Sequence, residues 1–110
     1  MSVCNLSIIT VCRNEASRIR RTAESVTTQT TADFEWIVID GGSTDGTQGE
    51  LEDYRGRIAQ WVSEPDHGVY DAMNKGAARA RGDWLLFLNG GDILAEAEVI
   101  GGMQRYLQGA

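Results

Sequence analysis

Three polar segments of this sequence contain carboxylate side chains, and two of them also contain glycines. They are Arg13-Asn14-Glu15, the loop Asp40–Thr47 and Asn89-Gly90-Gly91-Asp92. The second segment contains three glycines, and glycine lets a backbone approach a ligand closely. A helix that starts after such a loop favours phosphate at its amino terminus. In the third segment, one carboxylate and one amide would suit a hard divalent cation that also binds phosphate oxygens.

None of these segments carries a signature that is decisive by itself. The Asp40–Thr47 loop lacks the G-x-G-x-x-G spacing of a dinucleotide-binding turn. It is not a calcium loop, because Leu51 stands where that loop requires a bidentate glutamate. A glycine-rich turn whose Ser43 or Thr44 caps the next helix explains the same residues, so spacing alone leaves both interpretations open. Taken alone, Asn89–Asp92 is better explained as an ordinary turn.

Four short apolar runs predict the strands that would position these segments, and amphipathic stretches between them predict helices. We expect strands at residues 6–11, 34–39, 58–63 and 84–88. Helices are expected from residue 14 to beyond residue 26, and over about 48–54, 69–81 and 96–107.

The alternation of apolar strands with helices predicts an α/β fold of one domain, residues 1–110. Near-continuous apolar strands are typical of a mostly parallel sheet with helices on both faces. In such sheets, ligands bind beyond the carboxyl ends of the strands. The three polar segments all follow expected strands, so they should lie at those ends. This convergence is the strongest functional indication that the residues provide without reference to a family.

An excess of acidic residues limits the ligands and partners of the protein. Sixteen Asp and Glu against ten Lys and Arg give a net charge of −6, which disfavours nucleic acid as a partner. A phosphate ligand would need a positive ion between itself and such a protein. The amino terminus lacks a basic region, and the apolar run Leu6–Cys12 is too short for a membrane span. Cys4 and Cys12 are expected to be small buried hydrophobes in a reducing compartment, which predicts a cytoplasmic protein.

Other residues with potential chemistry are better explained as structural. His67 is the only histidine, and one histidine cannot build a zinc site without neighbouring thiolates. No serine lies in a G-x-S-x-G elbow, so a nucleophilic triad is unsupported. Trp36, Trp61 and Trp84 lie on expected strands, and we predict that they are core residues and not a platform for stacking sugars.

Five segments together resemble the family 2 glycosyltransferases. The resemblance covers nearly the whole chain and keeps the order and spacing of the family's motifs. The segments that carry it are Ser7–Val11, Arg13–Glu15, Val38–Thr47, Glu64–Gly76 and Gly82–Asp92. The resemblance implies a Rossmann-like GT-A fold and transfer of a sugar from a nucleotide diphosphate donor, usually with inversion.

The resemblance also implies site residues by position. Thr10 and Asp40 would lie at the nucleoside, Arg13 and Glu15 would line the same pocket, and Gly68 would approach the nucleotide from the other side. The complete nucleotide-binding set that it implies is Thr10, Arg13, Glu15, Asp40, Gly41, Ser43, Gly68, Asn89 and Gly90. The turn after the fourth strand occupies the place of the family's D-x-D metal motif. This implies Mn²⁺ or Mg²⁺ as a cofactor, with Asp92 as its ligand.

The chain departs from the family pattern in three places. Gly41 stands where many members carry a second acid, and the D-x-D positions hold asparagine and glycine, which leaves Asp92 one residue further on. Inverting members use a carboxylate base to deprotonate the acceptor while the metal stabilises the leaving diphosphate. That base lies well beyond the metal motif, and we expect it beyond residue 110. Asp45 and Asp71 are the nearest spare carboxylates, and their spacing nominates neither as the base.

The segment from Glu64 to Gly76 resembles the bacterial branch that builds cell-surface or exported polysaccharides. The implied function is transfer from a nucleotide-sugar donor to a saccharide or lipid-linked acceptor, and peripheral membrane association of the parent protein is compatible with it. A non-catalytic or truncated nucleotide-sugar-binding module is the alternative. A plain doubly wound signalling or interaction domain fits the motif series poorly. An exposed sheet edge would also favour self-association.

Overall fold

The computed structural model describes residues 6–108, in which strands and helices alternate as the sequence predicts. The elements are β1 (Leu6–Cys12), α1 (Ile19–Thr27), β2 (Glu35–Asp40), α2 (Thr47–Leu51), a 3₁₀ helix (Glu52–Arg57), β3 (Gln60–Ser63), α3 (Val69–Arg79), β4 (Trp84–Phe87) and α4 (Val99–Gln108). Most ends lie within a few residues of the predicted ones. The start of α1 differs most, because Asn14 has a left-handed φ of 53° and the chain turns before the helix begins.

The four strands form one parallel sheet in the order β3-β2-β1-β4. This confirms the predicted parallel α/β fold. The chain builds β2 and β3 on one side of β1, and it then crosses to place β4 on the other side. The strand order therefore reverses between β1 and β4, which makes their carboxyl ends a topological switch point.

Helices cover both faces of the sheet, as predicted. One face packs against α1, α2, the 3₁₀ helix and α4, and its fully buried side chains include Trp36, Ile19 and Ile100. The other face packs against α3 through residues such as Ile9 and Ala72. Burying an aliphatic side chain of this size contributes about 1.5–3 kcal/mol, so the two clusters hold the strand ends in fixed positions. No helix between residues 6 and 108 is long and apolar enough to cross a bilayer.

The predicted burial of the tryptophans and cysteines is confirmed for some of these residues and wrong for another. Trp36 is buried, as predicted, but Trp84 is 45% exposed, so the prediction that it is a core residue was wrong. Trp84 starts the edge strand β4, which has no neighbouring strand on its outer side to cover it. Cys12 is buried and free, as predicted. Cys4 lies outside the described residues.

The predicted cap of α2 was also wrong. The helix begins at Thr47 after Gly46, which adopts a left-handed φ of 97°, and neither Ser43 nor Thr44 caps it. Asp45 instead accepts a hydrogen bond from the backbone N–H of Thr47 at 3.1 Å. The hydroxyl of Ser43 is directed towards Asp40 and so belongs to a different network.

Candidate functional site

A cleft of about 330 Å³ lies between the carboxyl ends of β1 and β4, at the switch point of the sheet. Ligands of open parallel sheets bind at such points. Three separate segments line it: the end of β1 with the following turn, the loop before α3 with its first turn, and the turn after β4. The lining residues are Val11, Cys12, Arg13, Glu15, Asp66, Gly68, Val69, Ala72, Asn89 and Gly90. Five of the nine predicted nucleotide-binding residues therefore meet here.

Two other hollows, of about 380 and 470 Å³, lie elsewhere on the described part of the chain. The first surrounds Phe34 and Arg81 at the amino end of β2. The second lies beside β3, where the guanidinium of Arg55 covers the ring of Trp61 at 4.5 Å. That face of the ring is consequently closed to a stacking sugar. Of the three hollows, the cleft between β1 and β4 is the one in which the polar segments converge.

The Asp40–Thr47 loop acts on the cleft by holding the turn that follows β1. The backbone N–H of Asn14 donates to the hydroxyl of Ser43 at 2.8 Å, and the side-chain oxygen of Asn14 accepts from the N–H of Thr44 at 2.9 Å. The N–H of Glu15 donates to the hydroxyl of Thr47 at 2.9 Å. These bonds allow Asn14 to keep its left-handed conformation, and they place Arg13 and Glu15 at the rim of the cleft.

Asp40 and Thr10 lie beneath the cleft and do not line it. Both are fully buried. The carboxylate of Asp40 accepts hydrogen bonds from the N–H and hydroxyl of Ser43 and from the side-chain amide of Gln48, the last at 2.8 Å. The hydroxyl of Thr10 accepts a hydrogen bond from the indole N–H of Trp36 at 3.0 Å. Contact of Thr10, Asp40 and Ser43 with a nucleoside stays a prediction.

The thiol of Cys12 forms part of the cleft wall next to Asp40. Burial, and secondly the neighbouring Asp40 carboxylate, raise the pKa of this thiol well above its ordinary value. The thiol is therefore uncharged at neutral pH and is not a nucleophile. Cys12 contributes shape to the cleft, because a Cβ added at Gly90 would lie only 3.0 Å from the Cβ of Cys12.

Glu15 is shared between the cleft and an ion pair at its rim. Its Oε1 accepts from the Nη2 of Arg18 at 2.6 Å and from Nε at 3.0 Å. A Cβ at Gly90 would also lie 3.0 Å from the Cγ of Glu15. Glycine at position 90 therefore lets the turn after β4 pack closely against Cys12 and Glu15.

The turn after β4 presents oxygen atoms at the other end of the cleft. Asp92 accepts a hydrogen bond from the N–H of Asn89 at 3.1 Å. The side-chain oxygen Oδ1 of Asn89 is buried and has no hydrogen-bond partner among residues 6–108, which is unusual for a buried polar atom. Gly91 completes the turn with a φ of 97°. Amide and carboxylate oxygens of this kind fit a hard divalent cation.

Metal binding at this turn would depend on the ligand as well as on the protein. Between residues 6 and 108, no group of three or more His, Cys, Asp or Glu side chains could hold a metal ion together. Mg²⁺ and similar ions in phosphate sites are commonly held by one or two protein oxygens and by the phosphates themselves. Asn89 and Asp92 fit that pattern. The role of Asp92 as a metal ligand stays a prediction.

Asp66 is a cleft residue that the sequence analysis missed. It follows β3 in the loop that leads to α3, and its Oδ1 accepts a hydrogen bond from the N–H of Gly68 at 3.1 Å. A Cβ added at Gly41 would lie 2.6 Å from Oδ2 of Asp66. The sequence contained one usable signal, since Gly41 replaces an acid that related sequences often carry, but only the folded chain brings Asp66 into that space.

Asp45 and Asp71 have structural partners. The hydroxyl of Thr47 donates to Asp45 and is the main cause that lowers the pKa of that carboxyl. The backbone N–H of His67 donates to Asp71 at 2.9 Å and is the main cause that lowers its pKa, and Lys75 lies 3.7 Å away. A carboxylate whose pKa is lowered is a weaker proton acceptor. Neither residue lines the cleft.

The parallel sheet with its switch point between β1 and β4 has the α/β architecture of the GT-A type. The family model described as glycosyl transferase family 2 matches residues 7–109, so the chain belongs to that family. Two sets of curated relatives support this. An uncharacterized glycosyltransferase of Mycobacterium tuberculosis is 42% identical over 90% of this chain, and a PGL/p-HBAD biosynthesis glycosyltransferase of Mycobacterium bovis is 38% identical over 91%.

Solved structures share the fold at lower identity. TarS of S. aureus has a TM-score of 0.86 and 24% identity over 96% of this chain, and it has also been solved with UDP-GlcNAc. The mannosyltransferase PcManGT of Pyrobaculum calidifontis, solved with GDP-Man and Mn²⁺, has a TM-score of 0.78 and 20% identity over 94% of this chain. The present chain spans 38% and 40% of the two curated relatives and 32% of the TarS chain.

Proposed function

We propose that the cleft between β1 and β4 binds a nucleoside diphosphate sugar, and that the protein takes part in transferring this sugar to an acceptor. The observation that carries the proposal is the convergence of three distant segments, which bring Arg13, Glu15, Gly68, Asn89 and Gly90 to one cleft. The cleft lies where α/β proteins bind nucleotides. The two structural neighbours solved with UDP-GlcNAc and GDP-Man support the same ligand class.

A divalent cation, Mn²⁺ or Mg²⁺, is part of the proposal. The unpartnered oxygen of Asn89 and the exposed carboxylate of Asp92 would hold it, with the diphosphate supplying further oxygens. The bound ion would neutralise charge on the departing diphosphate. It would also offset repulsion between this diphosphate and an acidic protein of net charge −6.

The residues of the chain would have different tasks in holding the donor. Gly90 lets the turn after β4 pack against the end of β1, and Arg13, which is exposed at the rim, would offer a positive charge to the diphosphate. The amino end of α3 at Gly68 favours an anion. Asp40 and Ser43 would act below the ligand, because their mutual hydrogen bonds hold the turn that carries Arg13.

We further propose that the acceptor is a saccharide or a lipid-linked saccharide in cell-surface polysaccharide synthesis. The relative named for PGL/p-HBAD biosynthesis supports a role of glycosyl transfer in a biosynthetic pathway. Donor binding without turnover is the second candidate function of the 110-residue chain. It is favoured by the structural engagement of Asp45 and Asp71, because both carboxylates are held by hydrogen bonds and neither lines the cleft.

The donor-binding proposal can be tested by thermal unfolding with UDP, GDP, TDP and their sugars, each with and without Mn²⁺. A ligand that binds only the native state stabilises it by about 2.7 kcal/mol at about one hundred times its Kd. We expect a rise in Tm with at least one nucleotide, and a larger rise with Mn²⁺ present. Absence of a shift with every nucleotide would contradict the proposal.

A pair of matched variants separates the metal from the nucleotide. Asp92→Asn removes one negative charge from the turn after β4 and should reduce the Mn²⁺-dependent part of the shift. Asp83→Asn makes the same chemical change in an exposed turn before β4 and should leave the shift unchanged. An identical Mn²⁺ response of wild type and Asp92→Asn would exclude Asp92 as a metal ligand.

A further inference from the structure

We propose that Thr22 is a positioning residue, which holds the turn after β4 from the buried face of α1 in the shape that presents oxygen atoms to a divalent cation. Because this role concerns the cation proposed at Asn89 and Asp92, it rests on the proposed function. Thr22 does not line the cleft and lies in none of the three polar segments. Its hydroxyl oxygen accepts a hydrogen bond from the N–H of Gly91 at 2.9 Å.

Thr22 places a hydroxyl group among the apolar, core-facing residues of α1. The helix buries it together with Ile19, Ala23 and Val26, and Thr22 is fully buried. A buried hydroxyl costs free energy unless it is hydrogen-bonded, and threonine in a helix commonly bonds to a carbonyl of the preceding turn. Thr27 of the same helix does so, with the carbonyl of Ala23 at 3.0 Å. The hydroxyl of Thr22 instead accepts from a turn 69 residues away in the chain, so the turn explains its presence.

All four backbone N–H groups of the turn after β4 donate to other atoms of the described chain. The N–H of Asn89 donates to the carboxylate of Asp92 at 3.1 Å, and the N–H of Asp92 donates to the carbonyl of Asn89 at 2.9 Å. The N–H of Gly90 donates to a carbonyl of β1 at 2.8 Å. Only the N–H of Gly91 depends on a side chain of another element, which is Thr22. The turn therefore offers a diphosphate oxygen atoms and no N–H, and it binds such a ligand through a cation.

The turn needs this support because its own backbone is permissive. Gly91 adopts a φ of 97°, glycine restricts the backbone less than any other residue, and residues 88–98 form neither helix nor strand. Thr22 supports the turn itself. Ser25, one helical turn further along α1, accepts the N–H of Leu94 at 3.0 Å and so supports the chain beyond the turn. Residues that orient metal ligands in this indirect way commonly change metal affinity by about 10–100-fold.

The substitution Thr22→Val tests the role with little change in shape, because a methyl group replaces the hydroxyl at a core-facing position. The probe is whichever of UDP, GDP and TDP binds wild type best. The measured quantity is the ratio of its Kd in EDTA to its Kd with Mn²⁺, by calorimetry. We expect Thr22→Val to reduce this ratio by about tenfold, while the Kd in EDTA stays as in wild type. Thr22→Ser keeps the oxygen that accepts the N–H of Gly91 and should restore the wild-type ratio.

Two control variants in α1 separate positioning from general support. Thr27→Val makes the same chemical change at a hydroxyl that bonds to its own helix, and it should keep the wild-type ratio. Ser25→Ala removes a similar hydrogen bond beyond the turn and should also keep the ratio. A purely structural role of Thr22 would lower Tm in Thr22→Val and leave the ratio unchanged, which overturns the inference. An equal loss of the ratio in Ser25→Ala overturns the assignment to Thr22.

Amide hydrogen exchange, followed by NMR, tests the hydrogen bond itself without any ligand. The amide of Gly91 should exchange faster in Thr22→Val than in wild type and in Thr22→Ser, because it loses its acceptor. Equal exchange in all three proteins would overturn the inference and leave donor binding intact. Nucleotide binding by wild type that does not depend on Mn²⁺ would do the same. Wild type that binds no nucleotide would overturn both this inference and the proposed function.

Discussion

Gly76 lies where α3 packs against the sheet, and its replacement by alanine should destabilise the protein. Gly76 is buried in the helix. A Cβ at this position would lie 2.4 Å from Cγ2 of Ile9 and 3.4 Å from Cγ1 of Ile39. Ile9 is itself fully buried in the central strand β1. Neither the β-branched side chain nor the strand can retreat easily, so α3 would have to move outwards.

Two opposing effects set the size of the change. Alanine stabilises a helix interior by about 1 kcal/mol relative to glycine. Inserting a methyl group into a well-packed core costs about 1–3 kcal/mol. The overlap at 2.4 Å is severe, so the steric cost should exceed the helix gain. We expect Gly76→Ala to lower the free energy of unfolding by up to about 2 kcal/mol.

A matched control removes the helix-propensity contribution. Gly49 lies in α2, and a Cβ there would meet nothing within 4 Å. Gly49→Ala should therefore be neutral or stabilising by up to about 1 kcal/mol. Urea unfolding of both variants, followed by circular dichroism, measures the difference. If Gly76→Ala proves as stable as Gly49→Ala, the close contact between α3 and β1 is not the reason for glycine at 76.

Three further outcomes follow from the contacts of individual side chains. Trp36→Phe removes the N–H that donates to Thr10 and should lower the free energy of unfolding by about 1–3 kcal/mol. Thr10→Val should lower this free energy less in the Trp36→Phe background than in wild type. Additive losses of stability would contradict the hydrogen bond between the two side chains. Native Cys12 should resist iodoacetamide at pH 8, judged by mass spectrometry of its peptide, because its raised pKa and burial keep it a thiol; alkylation at the unfolded rate would refute this. Asp45 has a lowered pKa, so its contribution is present above the unfolded value of about 3.8 and is lost as the pH falls through the folded value. Asp45→Asn should therefore be less stable than wild type at pH 7 by urea midpoint, with a gap that narrows towards pH 3, and a constant gap would exclude the linkage.

Secondary structure and the general position of the site could be predicted because the signals are local. Apolar runs such as those at β1 and β2 define strands by their own composition. The predictions failed where the environment of a residue depends on parts of the chain outside its own element. Trp84 is on a strand, as expected, but that strand is an edge, and edge position depends on strand order. Helix α2 begins after Gly46 and not at Ser43 or Thr44, because the left-handed backbone at Gly46 redirects the loop. Asp45 then accepts the N–H of Thr47.

The sequence by itself determined the alternation of strands and helices, the family, and the fact that polar segments follow strands. These depend on periodicity and on motifs read within short windows. Only the tertiary structure decided which polar residues meet. Long-range packing places β4 beside β1, so the turn at Asn89 faces Arg13, while Asp40 is enclosed by its own loop. It also brings Asp66 into the space left by Gly41, because close approach of two distant loops is a property of the packed chain.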